Sequence, residues 1–173
     1  MGKRITVDHA NLAVTDDPTA TLITYGISTS VAVAVLDRTR GIGGLLHYML
    51  PSSKTLPDGA ENQPFLYADT GLPPLFRSAY RLGSTKHTLE VYLVGGSDMI
   101  DTSCTLDLGR RNLHVARRIF EKNGIDITAE EVGGTVLRTL TVDLQAAEVC
   151  VWVPGAEKSR MLAPQGVVAR RAE

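Results

Sequence analysis

Val31-Ala-Val-Ala-Val-Leu-Asp-Arg-Thr-Arg-Gly-Ile-Gly-Gly-Leu-Leu-His-Tyr-Met49 is the stretch on which the architecture turns. Its two apolar runs, Val31 to Leu36 and Gly43 to Met49, each have the length of one strand. Between them, Asp37-Arg-Thr-Arg-Gly41 has the residue types of a tight turn, so the two runs are expected to pair as an antiparallel hairpin. Similar runs rich in Val, Ile, Leu and Thr occur at Leu12 to Thr15, Thr21 to Tyr25, Thr88 to Val94, Ile125 to Val132, Leu137 to Asp143 and Val149 to Val153. They read as further strands. Leu144-Gln-Ala-Ala-Glu148 supplies a second hairpin turn, and the chain reads as sheet-heavy.

Two segments carry helical spacing instead. From Leu113, the apolar positions Ala116, Ile119 and Phe120 recur on one face, with Asp107 as a cap upstream and Gly124 as the stop. From about Pro73 to Leu82, the residues Leu75, Phe76, Ala79 and Leu82 form a face, two prolines suit a first turn, and Gly83 ends the segment. The stretches Ser52 to Pro64 and Gly95 to Leu106 exceed the usual connection of about 4 to 6 residues, and long loops of this kind border sites. From Pro154 onward there is no periodicity, and a loosely attached end is expected.

A chain of 173 residues with 43% hydrophobic and 21% charged content has the size and composition of one globular domain. The expectation is a single domain over residues 1–173, with a core at about 12–153 and a tail at 154–173. A formal net charge of −1 and scattered basic residues exclude an electrostatic footprint for nucleic acid or an anionic membrane. No apolar run approaches the roughly 20 residues of a membrane span, and Met-Gly-Lys-Arg-Ile-Thr at the start lacks the apolar stretch of a secretory signal. Cys104 and Cys150 are the only cysteines and have neither metal-ligand spacing nor a disulfide pattern. A cytoplasmic location without metal is expected.

Ser30 and His47 are the pair that suggests chemistry. A serine at the mouth of a strand, after a turn with free backbone N–H groups, can share those amides with an oxyanion, and a histidine on the neighbouring strand can take its proton. With Ser30 opening one strand of the hairpin and His47 near the end of the other, antiparallel pairing brings them level. Spacing alone leaves the structural alternative open, since a serine in a turn and a histidine between Leu46 and Tyr48 also serve packing. Gly41-Ile-Gly-Gly44 completes no dinucleotide motif, because position 46 is Leu, and no phosphate-binding Gly-Lys-Ser/Thr occurs. Tyr67 to Thr70 either lines the site or caps a helix through Asp69, with capping preferred. Arg110, Arg111, Arg117 and Arg118 read as the solvated face of a helix, and Trp152 as a core or edge-strand aromatic.

Several blocks in order resemble the CheD family, the chemoreceptor glutamine deamidases of bacterial chemotaxis. They are Ala13-Val-Thr, Thr24-Tyr-Gly-Ile with Ser30-Val-Ala-Val, Gly43-Gly with His47-Tyr-Met-Leu-Pro, Tyr67-Ala-Asp-Thr70, Gly95-Gly-Ser-Asp-Met99, Leu108-Gly-Arg-Arg-Asn112 and Glu130-Glu-Val-Gly-Gly-Thr135. The resemblance implies an α/β (α+β) fold: a layered sandwich of mixed, largely antiparallel sheets with helices packed outside, related to the catalytic domains of cytotoxic necrotizing factors. It implies attack of a cysteine thiolate on a receptor glutamine amide, release of ammonia, and hydrolysis to glutamate. Position 30 matches the nucleophile, His47 the base and Thr24 the third catalytic position. No cofactor is implied. The implied partners are methyl-accepting chemoreceptors and the phosphatase CheC.

This chain departs from that pattern where the chemistry is concentrated. The family's Gly-Ser-Cys reads Ser28-Thr29-Ser30. A thiol with a pKa of about 8.5 is readily lowered by a neighbouring histidine, whereas a serine hydroxyl must lose its proton during attack. A serine at position 28 is also expected to strain a turn that needs φ > 0. A single engineered Cys-to-Ser change would leave positions 28 and 29 untouched, so the three changes together favour divergence. The residues are compatible with a working or weakened deamidase using Ser30, His47 and Thr24, and with a non-catalytic binding protein docking CheC or receptors. A serine hydrolase of another class has no G-x-S-x-G elbow to support it. Cys104 is the other thiol considered, with an ordinary loop cysteine as its reading.

Overall fold

The computed structural model describes residues 2–55, 57–98 and 107–164. Two five-stranded sheets lie face to face, and the helices cover the outer face of one of them. The first sheet comprises β1 (Lys3–Thr6), β3 (Ala20–Ile27), β8 (Arg138–Asp143), β9 (Glu148–Trp152) and β10 (Arg160–Met161), in the order β1-β3-β8-β9-β10. The second comprises β2 (Asn11–Thr15), β4 (Val31–Asp37), β5 (Ile42–Tyr48), β6 (Glu90–Gly95) and β7 (Ala129–Val132), in the order β2-β5-β4-β6-β7. Within each sheet most pairs are antiparallel; β1 with β3 and β6 with β7 run parallel. This is the mixed α/β sandwich expected from the sequence.

The 31–49 stretch lies at the centre because both of its faces are covered. Val31, Val33 and Val35 on β4, with Leu46 and Tyr48 on β5, pack under α2 (Ala68–Arg81) and α3 (Leu108–Lys122) through Leu72, Leu75, Leu113 and Phe120. Ala32, Ala34 and Leu36, with Leu45, face the other sheet and meet Leu22, Leu140, Val142 and Val151. A strand buried on both faces reads as a continuous apolar run, whereas β8 shows strict alternation of buried and half-buried residues. The hairpin turns at 37–41 and 144–148 join antiparallel strands as expected.

Four local expectations are corrected. α2 begins at Ala68 rather than Pro73, so Pro73 and Pro74 lie inside it. Asp69 does not cap that helix. It accepts hydrogen bonds from Ser52 Oγ (2.8 Å) and the Ser53 amide (2.9 Å), tying down the start of the 52–64 connection, which itself contains the short helix α1 (Pro57–Asn62). Asp107 occupies the N-cap position of α3 but is left-handed (φ 40°, ψ 45°) and makes no capping bond; its carboxylate pairs with Arg110 at 3.3 Å. Finally, the core is not confined to 12–153: Val7 after β1 is buried, β10 pairs with β9, and Leu162 is buried with its amide bonded to the Val149 carbonyl. No helix among the described residues is long and apolar enough to cross a membrane.

Candidate active site

Strand parity carries three polar side chains into one gap between the sheets. On β4 the even-numbered residues face the first sheet, so Ser30, one position before the strand, faces it too. His47 is level with Ala32 across the β4–β5 pair and points to the same side. From the first sheet, β3 sends Leu22 and Thr24 inward. As a result His47 Nε2 lies 2.8 Å from Ser30 Oγ, and His47 Nδ1 lies 2.8 Å from Thr24 Oγ1. Thr24 and His47 are fully buried, and Ser30 is only 2% exposed. All three residues singled out in the sequence are thus brought together, from β3, β5 and the turn that leads into β4.

The turn that presents Ser30 is held by its carbonyls. The Ser28 carbonyl accepts from the Ser97 amide (2.8 Å), the Thr29 carbonyl from Asn112 Nδ2 (2.8 Å), and the Ser30 carbonyl from the Gly96 amide (2.8 Å). With the carbonyls directed into the protein, the amides of Thr29 and Ser30 have no acceptor among the described residues. The left-handed residue of this region is Gly26 (φ 67°) rather than Ser28, so the strain expected at position 28 does not arise. Packing here leaves no slack: a Cβ on Gly109 of α3 would lie 2.3 Å from the Ser97 carbonyl oxygen.

Asn112 is the site-forming residue that sequence reasoning did not single out. Fully buried on α3, it donates to the Met49 carbonyl (2.9 Å) as well as to Thr29, while Tyr48 Oη donates to its own backbone carbonyl (2.9 Å). One side chain therefore bolts the Ser30 turn to the end of the His47 strand. The signal was present: Asn112 stands four residues before Ala116, a polar side chain on an apolar helix face. His9 was also missed, and its ring packs against that of His47.

Burial, and secondarily the neighbouring His9, lowers the pKa of His47 from the ordinary 6.5 to about 3. The imidazole is therefore neutral at physiological pH. The tautomer with its proton on Nδ1 donates to Thr24 and leaves Nε2 to accept the Ser30 hydroxyl proton. Among the described residues no carboxylate touches the ring, so an imidazolium formed during reaction gains only a hydroxyl partner. Cys104 lies outside the described residues. Arg117 pairs with Glu130 and Arg110 with Asp98 and Asp107, whereas Arg111 and Arg118 are exposed on α3. Trp152 is half-exposed on β9, its indole N–H bonded to the Ala156 carbonyl.

Known proteins resemble the chain over most of its length. A family model described as CheD chemotactic sensory transduction matches residues 49–153, a span that starts just after His47 and includes Asn112. A Syntrophus aciditrophicus protein named probable chemoreceptor glutamine deamidase CheD 1 is 35% identical over 147 residues, covering 85% of this chain and 92% of the relative. A probable chemoreceptor glutamine deamidase CheD 2 from Anaeromyxobacter dehalogenans is 37% identical over 147 residues, with the same coverage of 85% and 92%. A Pyrococcus horikoshii relative, named probable chemoreceptor glutamine deamidase CheD, is 39% identical over 128 residues, or 73% of this chain and 78% of the relative. A solved Neisseria meningitidis structure described as DUF152 covers 78% of this chain and 64% of its own at 11% identity, with a TM-score of 0.43, too low to bear on the fold.

Proposed function

The chain belongs to the CheD family, and on that premise we propose that its site accepts glutamine side-chain amides of chemoreceptors but converts them far more slowly than a cysteine-bearing relative does. The observation that carries this reading is His47 bridging Thr24 and Ser30 at 2.8 Å on each side. Ser30 is the nucleophile: its proton passes to His47 Nε2 as Oγ bonds to the amide carbon. The amides of Thr29 and Ser30 receive the oxyanion. The C–N bond then breaks, His47 returns its proton to the departing ammonia, and water hydrolyses the ester to leave glutamate and a restored serine. Thr24 holds the imidazole in the tautomer this sequence requires.

Slowness follows from the same geometry. A serine must surrender its proton to a base, and burial holds His47 at a pKa of about 3 with no carboxylate beside it among the described residues. A thiol at position 30 ionises more easily and is the stronger nucleophile. The low basicity of His47 also favours a second reading, in which the chain binds receptors or a CheC-like phosphatase without turnover. Its two cysteines suit the reducing cytoplasm, where we place it.

The test is ammonia release from a chemoreceptor fragment by the chain and by Ser30→Cys. The expected result is at least about a hundredfold gain for Ser30→Cys, since misplacing or weakening a nucleophile costs on the order of two decades in rate. Rapid turnover by the unmodified chain, lost in Ser30→Ala and His47→Ala, would overturn the proposed slowness. Receptor binding with no turnover even for Ser30→Cys would establish the second reading.

A further inference from the structure

We propose that Arg138 is a positioning residue that sets the reactivity of position 30 through a buried hydrogen-bond knot behind the nucleophile turn. This rests on the reading of Ser30 as the nucleophile position. Arg138 opens β8 opposite Ile27, beside the irregularity in β3 between Thr24 and Ile27, and its side chain is only 3% exposed. Its Nη1 donates to Ser97 Oγ (2.8 Å) and the Val136 carbonyl (3.4 Å), and its Nη2 to the Gly133 carbonyl (2.8 Å) and Glu131 Oε1 (3.3 Å). One planar fork thus joins Ser97, the 133–136 turn and the end of β7.

The knot leads directly to the nucleophile turn. Ser97 Oγ, while accepting from Arg138, also donates to the Val136 carbonyl at 2.8 Å. The Ser97 amide holds the Ser28 carbonyl, and the adjacent Gly96 amide holds the Ser30 carbonyl. The Gly133 amide returns to the Gly95 carbonyl, and the Asp98 amide to the Gly134 carbonyl. Two glycine-rich turns are therefore locked to each other by Arg138, and one of them grips residues 28 and 30 from behind. A stability role alone explains this arginine poorly. Its Nε is buried without a partner among the described residues, its counter-ion Glu131 is shared with Arg160 of β10, and apolar replacements of buried ion pairs are often neutral or stabilising. A fork that reaches four acceptors at once is what a fixed geometry needs and what lysine lacks.

The experiment uses Ser30→Cys as a reporter chain, alkylated with iodoacetamide between about pH 6 and pH 9, with the residue-30 and residue-150 peptides quantified separately by mass spectrometry. In that background Arg138→Met, Arg138→Lys and Ser97→Ala are compared well below their unfolding midpoints. The expected result is that the thiol introduced at position 30 reacts faster than Cys150 in the reporter, and that all three changes slow it by about tenfold or move its pH profile upward, in line with the rate cost of small misplacement. Unfolding midpoints alone would report a merely structural role. Fast alkylation at position 30, unchanged by Arg138→Met and Ser97→Ala, would overturn the proposal and leave the nucleophile reading standing. Full reactivity in Arg138→Lys would also overturn it, since charge and not the fork would then be at work. A position-30 thiol no faster than Cys150 in the reporter itself would overturn the nucleophile reading first.

Discussion

The ring of His9 lies 4.5 Å from the ring of His47, centroid to centroid, and is tilted from it by 43°. His9 is exposed and sits just before Ala10, whose left-handed backbone (φ 55°) turns the chain into β2 and whose amide bonds the His47 carbonyl. The buried base thus has a second imidazole on its face and a hydroxyl on each nitrogen. A positive charge on His9 disfavours one on His47.

The first prediction concerns acid stability. The folded-state pKa of His47 is depressed from 6.5 to about 3, so below about pH 6.5 the unfolded chain binds a proton that the folded chain refuses. This contribution is complete above pH 6.5 and is lost progressively as the pH falls toward about 3. Urea unfolding across that range should give a slope from His47 approaching one proton, and His47→Gln should remove it. In His9→Ala, the His47 imidazole resonances should titrate at a higher pH. An unchanged slope in His47→Gln would show that the ring is not held neutral.

Thr24→Val tests the other nitrogen. The substitution keeps the shape but leaves Nδ1–H of His47 buried without an acceptor, which costs about 1–3 kcal/mol. Thr24→Ser restores the hydroxyl and should recover most of the loss in unfolding free energy. In the Ser30→Cys background, ammonia release should fall by at least about tenfold for Val and much less for Ser, as expected for a residue that fixes a base in one orientation.

What the sequence made legible follows from burial. The runs 31–36 and 43–49 announce themselves because both faces of β4 and β5 are covered, and the turn at 37–41 fixes their register, which brings Ser30 level with His47. β1 and β10 escaped notice because Lys3, Arg4, Arg160 and Met161 are edge-strand residues exposed to solvent, with no apolar alternation to detect. The start of α2 was missed because Pro73 and Pro74 mimic a first turn that actually lies five residues earlier. Asn112 was marked locally only as a polar residue on an apolar helix face, and Arg138 not at all, because the partners that give them their roles lie 83 and 41 residues away in sequence.

Asn112→Asp probes the bolt between the two halves of the site. A carboxylate in place of the amide cannot donate to the Thr29 and Met49 carbonyls, and it would be buried. A loss of about 3–5 kcal/mol is expected, the range found when a buried polar network is left with an unpaired charge. Chemical denaturation near neutral pH measures it, and the loss should shrink as the pH is lowered and the new carboxyl protonates. A variant as stable as the parent at neutral pH would mean that the turn holds without this donor.

Gly95 and Gly133 separate steric support of the nucleophile turn from backbone strain. Both have positive φ, +115° and +73°, so alanine at either position carries a conformational cost of about 1–2 kcal/mol. At Gly133 a Cβ meets nothing within 4 Å, and that cost is all that is expected. At Gly95 a Cβ would lie 2.5 Å from Cγ2 of the fully buried Ile27 and 2.4 Å from the Ser30 carbonyl oxygen, a backbone atom that cannot yield without moving the turn. Gly95→Ala should therefore be the more destabilising by at least about 2 kcal/mol, the scale of overpacking a tight interior. In the Ser30→Cys reporter it should also slow alkylation of the position-30 thiol well below the unfolding midpoint, while Gly133→Ala should leave that rate near the parent value. Equal effects of the two substitutions on stability and alkylation would show that the close approach of Gly95 to Ser30 does not support the nucleophile.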